Sequence, residues 1–531
     1  MNIAILIDNN EIEKWQLNSI LNIDSNIKIK NIYICKNSKF RRNIISNFLY
    51  YFYNYFFINN KFRNKINIKR IKEFEQIPKT SFFSLYKKNW QIIPRDICES
   101  FINQKINLII KFGLNLLHID DNLKDISVLS FHHGDPDLYR GKAPCFYEIL
   151  NKSSYQGVIV QKLNNNLDKG EVLAEAKLKL YNYSYKQSLI NCYRSSIPLL
   201  SKAIENYKSN TFIKKKFNSK VNKLPSNIKF IQFLWLLLFN KLKRIIYLLF
   251  FIRSWKISIS RYNGIKDFDL ITKSLQIKSF NHIFFADPFF LNKKNIILEG
   301  FNYFKGRGEI LKFNLENNKI TNFLCSKFHL SYPFIFKNNN ESFLIPEISN
   351  SKKPTYFKLS NIDNSKKLLS DPKKFFGLEK YKIIDPTLLK YNNEIYMFCN
   401  LKGEPIENLY IFISDKIDGF FKPHKLNPII ININSSRMAG DFIQEKGNIY
   451  RLGQNNSDEY GNGITINKIC TLDRNQYKET FFGKIELQNK FGPHTFNVFD
   501  NKCVFDHYYI TFNFFAFFHR FLQFINRYIN R

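Results

Sequence analysis

Two adjacent histidines, His132 and His133, stand in a chain that has only nine among its 531 residues. They lie in FHHGDPDLYRGKAP (131–144), which adds Asp135, Asp137 and Arg140 between glycines and prolines. An imidazole titrates near neutral pH, so it can take a proton from one reacting group and return it to another. The loop follows an apolar run, and in an α/β sheet ligands gather at the carboxyl ends of strands. Chemistry is expected here.

The elements that must position this loop alternate from residue 1 to about 207. NIAILID, NLIIKFG (107–113), VLSFHH (128–133) and GVIVQKL (157–163) read as strands, with helices between them over 95–104 and 184–207. That alternation predicts an α/β domain built on a parallel sheet.

From about 208 to 254 the composition changes. FIQFLWLLLFNKLKRIIYLLFFI (230–252) is apolar but interrupted by Asn240, Lys241, Lys243 and Arg244. Each charge near a bilayer centre costs about 2.5–3.5 kcal/mol, so a spanning helix is not expected. The stretch reads as linker helices, lying either in a membrane interface or buried between domains. The tail, 510–531, again interleaves aromatic residues with arginine and tilts the reading toward an anionic membrane surface.

A repeat governs 255–509. ADPFFLNKKNIILEG, SYPFIFKNNNESFLIPE, IDPTLLKYNNEIYMF, GDFIQEKGNIYRLGQ and HTFNVFDNKCVFDHY each hold an apolar strand, a polar turn and a second apolar strand. Their anchors, Pro288, Pro333, Pro386, Asp441 and Thr495, recur every 45–55 residues. That period fits four-stranded propeller blades, so five blades are expected; an irregular β-sandwich is the alternative. In a propeller, Asp287, Tyr332, Asp385, Gly440 and His494, each just before an anchor, would ring the central channel. Asp287 and Asp385 would then face each other. Glycoside hydrolysis uses two carboxylates roughly 5–9.5 Å apart. Glu347 lies in the second repeat and Arg437 opens the fourth. Asp287, Glu347, Asp385, Arg437 and His494 are accordingly candidate sugar-binding residues. The plainer reading is that an aspartate before proline forms an Asx turn.

Bulk properties restrict the alternatives. Lys and Arg number 80 against 44 Asp and Glu, a net charge of +36, which admits nucleic acid or an anionic membrane. The charge is spread along the chain rather than set in one arm, and nucleic acid is not the expected partner. Eight cysteines stand apart with no CxxC pair, so no metal knuckle is expected and a reducing cytosol suits them. The N-terminus lacks the basic and apolar regions of a signal peptide. Together these give a cytoplasmic protein, peripheral at the inner face of the membrane.

SFHHGDPDLYRGKAP followed by LDKG (167–170) resembles the formyltransferase family, which includes methionyl-tRNA, glycinamide ribonucleotide and sugar N-formyltransferases. The resemblance covers about residues 1–207. It implies 10-formyltetrahydrofolate as formyl donor, and His132 and Asp168 as the catalytic histidine and aspartate. Phe112 and Gly113, in IIKFGLNLL, would line the folate pocket, with Arg140 and Gly141 also on the cofactor side. An amine attacks the formyl carbon, and the oxyanion that forms needs a donor. The imidazole would carry the protons, with the carboxylate fixing its tautomer. Ser130 stands where the family has asparagine, and loss of such a donor costs about 2.7–4 kcal/mol. GDPD replaces Ser-Leu-Leu-Pro, so Asp135 and Asp137 would bring negative charge to the acceptor side. His132 and Asp168 are thus either a working pair or a degenerate one, and His133 is expected to be incidental.

FFADPFF, HLSYPFIF, IPE, IDPTLLKYNNEIYMF, SRMAGDFIQEKGNIYRLGQNNSDEYGNGI and GPHTFN resemble the N-terminal propeller-like domain of plant glucosamine inositolphosphorylceramide transferases. The architecture is also similar to five-bladed glycoside hydrolases and sucrases. Those enzymes want a glutamate in the fourth blade, where this chain offers Arg451 and Gln454.

The sequence therefore predicts a Rossmann-like formyltransferase domain (1–207), linker helices (208–254), an all-β five-bladed propeller (255–509) and a basic aromatic tail (510–531). The expected function is formyl transfer to an amino sugar, with the propeller holding a glycan or a nucleotide- or lipid-linked acceptor. The rivals are a methionyl-tRNA formyltransferase, a non-catalytic glycan-binding scaffold, and a propeller that itself makes or breaks glycosidic bonds.

Overall fold

Asn2–Asp8 (β1) is an unbroken apolar run, and its five central residues are buried, as a strand covered on both faces requires. The computed structural model describes residues 1–37, 44–266, 283–349, 353–360, 369–487 and 491–529. The chain divides into two units, Met1–Lys241 and Leu242–Arg531.

In the first unit β1 joins Lys28–Cys35 (β2), Lys79–Phe82 (β3), Leu108–Lys111 (β4), Ser127–His132 (β5), Tyr155–Lys162 (β6) and Glu171–Lys179 (β7) in one seven-stranded sheet, ordered β7-β6-β5-β4-β1-β2-β3. Five strands, β3, β2, β1, β4 and β5, run parallel. β6 runs antiparallel to β5, and β7 to β6. The short LDKG-containing loop between β6 and β7 is too brief for a crossover and makes a hairpin instead.

Lys14–Leu21 (α1) covers one face of the sheet with Trp15 and Ile20. Arg95–Asn103 (α2) covers the other with Ile97, Cys98 and Phe101. The single helix expected over 184–207 is two, Tyr185–Ser196 (α3) and Leu199–Lys208 (α4), because Pro198 between them lacks the N–H a continuous helix needs. The apolar stretch after 208 forms one 24-residue helix, Asn227–Phe250 (α5). Phe230 and Phe233 pack it against Phe146 of the first unit. No helix among the described residues is long and apolar enough to cross a membrane.

The second unit is a five-bladed propeller. Its first four blades begin at Ile283, Leu330, Ile383 and Arg437, and each contains a four-strand run. Among the described residues the fifth has three strands: Phe496–Phe499, Lys502–Phe512 and, from the start of the unit, Phe251–Arg261. The pairing of Phe251–Arg261 with Lys502–Phe512 ties the two ends of the unit together and closes the ring. Beyond this closure the chain forms the helix Ala516–Ile529 (α6).

One local feature repeats around the ring. The first strand of blades one, two and three breaks register at the anchor proline. Asp287, Tyr332 and Asp385 sit in those bulges with φ of 49°, 45° and 48°, and Gly440 takes φ 121° in the fourth blade. Aspartate and glycine tolerate this left-handed region, whereas a tyrosine there is strained and must be held by its surroundings. The repeat seen in the sequence is therefore, in the first three blades, a repeated backbone bulge that buries Asp287, Tyr332 and Asp385.

Candidate functional sites

In the first unit, β4 and β5 pair in parallel with Lys111 opposite Ser130. Residues in register, and residues two apart along a strand, share a face. Lys111, Ser130 and His132 therefore share one face at the carboxyl ends of their strands. His132 is buried, with Nε2 3.0 Å from the Tyr139 carbonyl oxygen and Nδ1 3.4 Å from Asp168 Oδ1. Asp168 takes φ 49° in the β6–β7 hairpin. Its Oδ2 accepts from the Gly141 N–H at 2.9 Å. The histidine and aspartate named from sequence are thus brought together.

Lys111 was not among the expected site residues. It is 8% exposed, and its Nζ donates to the Asn115 carbonyl at 3.3 Å. Burial lowers its pKa to about 8, against the opposing pull of Asp8 and Asp168. A lone lysine in the apolar run LIIK was the only sequence signal.

The other loop residues have structural partners. Asp135 accepts from Tyr155 Oη at 2.8 Å and pairs with Lys215 at 3.1 Å. Asp137 Oδ1 accepts the backbone N–H groups of Lys216 and Phe217. Lys215 also meets Glu175 at 2.6 Å. The negative charge expected on the acceptor side is therefore engaged within the unit, Asp135 by Lys215 and Asp137 by backbone N–H groups, and it pins the loop to residues 215–217. Arg140 donates to the carbonyls of Ser219 and Leu167, and Gly141, at φ 93°, pairs with Asn222.

Gly113 lets the chain pass against Asp8, where a Cβ would come within 2.6 Å of its backbone. Phe112 stacks on Phe131 in a cluster with Trp15, on the sheet face opposite His132. His133 belongs to the same cluster, between Trp15 and Tyr193. Burial, then His132 and Arg63, lower its pKa to about 3, so it is a neutral packing residue.

In the propeller, the candidate residues form two groups. Asp287 meets His494 Nε2 at 3.2 Å and accepts from Thr495 Oγ1 at 2.7 Å and the Tyr332 N–H at 3.1 Å. The other ring nitrogen of His494 lies 2.6 Å from Asp506 Oδ2. Burial opposes the charge on His494, but Asp506 and Asp287 raise its pKa to about 10. Burial would also raise Asp287, but His494 and the hydrogen bonds from Thr495 and Tyr332 hold it down to about 2. These three side chains could offer ligand atoms to a metal ion, but their spacing is that of an imidazolium clasped by two carboxylates.

The second group centres on Asp385, which Arg437 grips through Nε and Nη2. Gln454 Nε2 approaches the same carboxylate at 3.4 Å. Glu347 Oε2 lies 3.4 Å from the Asp385 backbone nitrogen. Burial, then the Asp385 charge, raise Glu347 to about 8. Glu299 has the matching place in blade one, since it pairs with Ala286 as Glu347 pairs with Ser331. Burial and the Asp287 charge push it well above the carboxylate range.

The two aspartates do more than start a strand, because each carboxylate is engaged by residues of other blades. Tyr332 Oη accepts from the Gly440 N–H at 2.9 Å and lies 2.9 Å from Thr387 Oγ1, which holds its strained backbone. The aromatic wall was not anticipated. Tyr460 lies 5.0 Å from the Arg437 guanidinium and 5.7 Å from His494, and Trp255 lies 4.3 Å from His494. Arg451, on the second strand of the run in blade four, is fully buried against Glu479 on the fourth, where it is structural.

Solved structures similar to this chain include a 4-N formyltransferase from Francisella tularensis (15% identity, 42% of this chain and 75% of that one, TM-score 0.27). Another is glycinamide ribonucleotide transformylase 1 from Symbiobacterium toebii (10%, 41% and 91%, TM-score 0.28). Among curated proteins, glucosamine inositolphosphorylceramide transferase 1 of Arabidopsis thaliana is 28% identical over 162 residues, 29% of this chain and 20% of its own. The protein of that name in Oryza sativa subsp. japonica is 30% identical over 165 residues, 29% of this chain and 21% of its own. The match thus spans about a fifth of each plant protein. The chain joins a parallel-sheet unit carrying formyltransferase-like motifs to a five-bladed propeller, and its residues 269–499 match the family model of glucosamine inositolphosphorylceramide transferase 1, N-terminal.

Proposed function

We propose that the first unit transfers a formyl group from 10-formyltetrahydrofolate to the amine of an amino sugar, and that the propeller holds the glycan part of a nucleotide- or lipid-linked acceptor. The observation that carries this reading is the meeting of His132 and Asp168 on the sheet face that also bears Ser130 and Lys111. The donor set fits a formyl group, because an ammonium and a hydroxyl share a face with a proton carrier. Bound there, the folate supplies the formyl carbon. His132 Nε2, on exchanging the Tyr139 carbonyl for the attacking amine, takes the proton the amine gives up and returns it to the folate nitrogen as the bond from that nitrogen to the formyl carbon breaks, with Asp168 orienting the imidazole. Lys111 faces the negative charge developing on the formyl oxygen and takes over the work of the asparagine that Ser130 replaces.

In the propeller, Arg437 is a cation beside the Tyr460 ring, a pairing suited to sugar hydroxyls and to an anionic linkage. The carboxylates of Asp287 and Asp385 already have cationic partners, which favours holding a sugar over cleaving one.

The test is tetrahydrofolate release from 10-formyltetrahydrofolate in the presence of nucleotide-linked amino sugars. Release that requires both an amino sugar and His132 supports transfer. No release, together with no folate binding, leaves the first unit as a scaffold and moves the function to the propeller.

A further inference from the structure

α6 is an amphipathic helix turned inside out. Ala516 and His519 face the propeller and are buried. Arg520 also turns inward, donating to the carbonyls of Leu248 and Phe251 and lying 5.5 Å from the Tyr247 ring. The outward face carries Phe517, Phe518, Phe521 and Phe524, at 60%, 48%, 48% and 66% exposure. Phe512, Phe514 and Phe515 extend it at the helix start. Within the same unit, the end of α5 exposes Leu242, Ile245, Ile246 and Leu248, with Lys243 and Arg244 among them. So many large apolar side chains in one patch mark a surface that binds something.

Charge chooses the occupant. Neither 227–261 nor 507–531 contains a single aspartate or glutamate, while both contain lysine or arginine. A second copy would bring the same positive charge to the contact, within a chain of net charge +36. An anionic bilayer supplies both an apolar layer for the phenylalanines and negative headgroups for the basic residues.

We infer that α6 and the end of α5 form a membrane-docking face that lies in the interface of an anionic bilayer without crossing it. Its phenylalanines enter the headgroup–acyl boundary, and Lys243 and Arg244 meet the phosphates. This holds whether or not the first unit transfers formyl groups.

The experiment is flotation of the full chain with vesicles of phosphatidylcholine alone or mixed with phosphatidylglycerol. The intact protein should float with the mixed vesicles and less with phosphatidylcholine, and added salt should weaken binding. Replacing Phe517, Phe521 and Phe524 together with serine should lower partitioning on the order of a hundredfold, with the unfolding midpoint unchanged. Should that variant fold poorly, Phe521→Trp in an otherwise intact chain decides. Its emission should shift to the blue, and be quenched by brominated lipid, only when anionic vesicles are added. The inference is overturned if the intact chain stays with the soluble fraction, if the triple variant floats equally well, or if the tryptophan shifts with protein concentration in the absence of lipid, which would mark a second copy as the occupant.

Discussion

The imidazole Nε2 of His132 lies 3.0 Å from the carbonyl oxygen of Tyr139, seven residues further along the same loop. With Asp168 at Nδ1, the ring is held by oxygen atoms at both nitrogens, so its orientation is set before any substrate arrives. Gly134 makes this possible: a Cβ there would lie 2.7 Å from the Tyr139 oxygen and 2.8 Å from His132 Nε2. Gly134→Ala should therefore force the ring and the loop apart, destabilising the first unit by about 1–3 kcal/mol through overpacking and lowering folate-dependent transfer. Thermal unfolding beside the transfer assay checks this, and an alanine variant with wild-type stability and rate would show that the contact is unimportant. Removing the imidazole itself, in His132→Ala, should reduce transfer about 10²–10⁴-fold.

Lys111 gives a prediction with a definite sign. Its pKa in the folded chain, about 8, lies below that of an unfolded lysine, so the unfolded state binds more protons between those values. Burying the cation costs stability below about pH 8, and the cost fades as pH rises toward about 10.4. Lys111→Met should thus stabilise the first unit at pH 7, by up to about 3 kcal/mol, and by less at pH 10. It should also abolish transfer, if the ammonium serves the formyl oxygen. A variant both more stable and inactive marks a residue kept for function at the expense of stability. A variant less stable at pH 7 would make Lys111 a structural residue.

How far the sequence reveals these sites depends on the kind of signal each residue leaves. β1 and β4 are legible because a strand buried on both faces must be apolar throughout, and the blades because the same bulge and turn recur around the ring. His132 and Asp168 are legible because one ends a strand and the other sits in a hairpin, each within a short motif. The roles of Asp135 and Asp137 are not, since they depend on Lys215, which no local pattern links to the loop. Tyr460 and Trp255 reach the propeller site from segments outside the quoted repeat cores. Glu299 is legible in the same way: IILE (296–299) in the first repeat occupies the place of LIPE (344–347) in the second, which sets Glu299 on Glu347.

The clasp of His494 between Asp287 and Asp506 predicts alkaline sensitivity of the propeller. The folded-state pKa of His494, about 10, is above the unfolded value of about 6.5. Its stabilisation is fully present below pH 6.5 and is lost as pH rises toward 10. Melting of the second unit should fall between pH 6.5 and 10, and His494→Gln should flatten that dependence while lowering the midpoint at pH 6.5. A pH profile unchanged by the substitution would mean that the imidazole is neutral in the folded ring.

Glu347 and Arg437 act on Asp385 in opposite senses, and their variants should diverge. Arg437 neutralises a carboxylate that is 2% exposed, and removing one partner of a buried pair leaves the other uncompensated, at a cost of about 3–5 kcal/mol. Arg437→Met should therefore melt the propeller early. Glu347 places a second carboxyl beside the same charge, and its raised pKa of about 8 means that the folded state holds a proton the unfolded chain has released. That preference costs stability progressively as pH rises from about 4.5 through 8. Glu347→Gln keeps the shape and removes the titration, so it should raise the melting midpoint more at pH 8 than at pH 5. Equal shifts at the two pH values would show that Glu347 is ionised in the ring. If the propeller holds a sugar at this group, Arg437→Met should also weaken binding of the acceptor glycan by more than Glu347→Gln does, because the cation faces the ligand and the protonated carboxyl only shares a hydrogen bond with it.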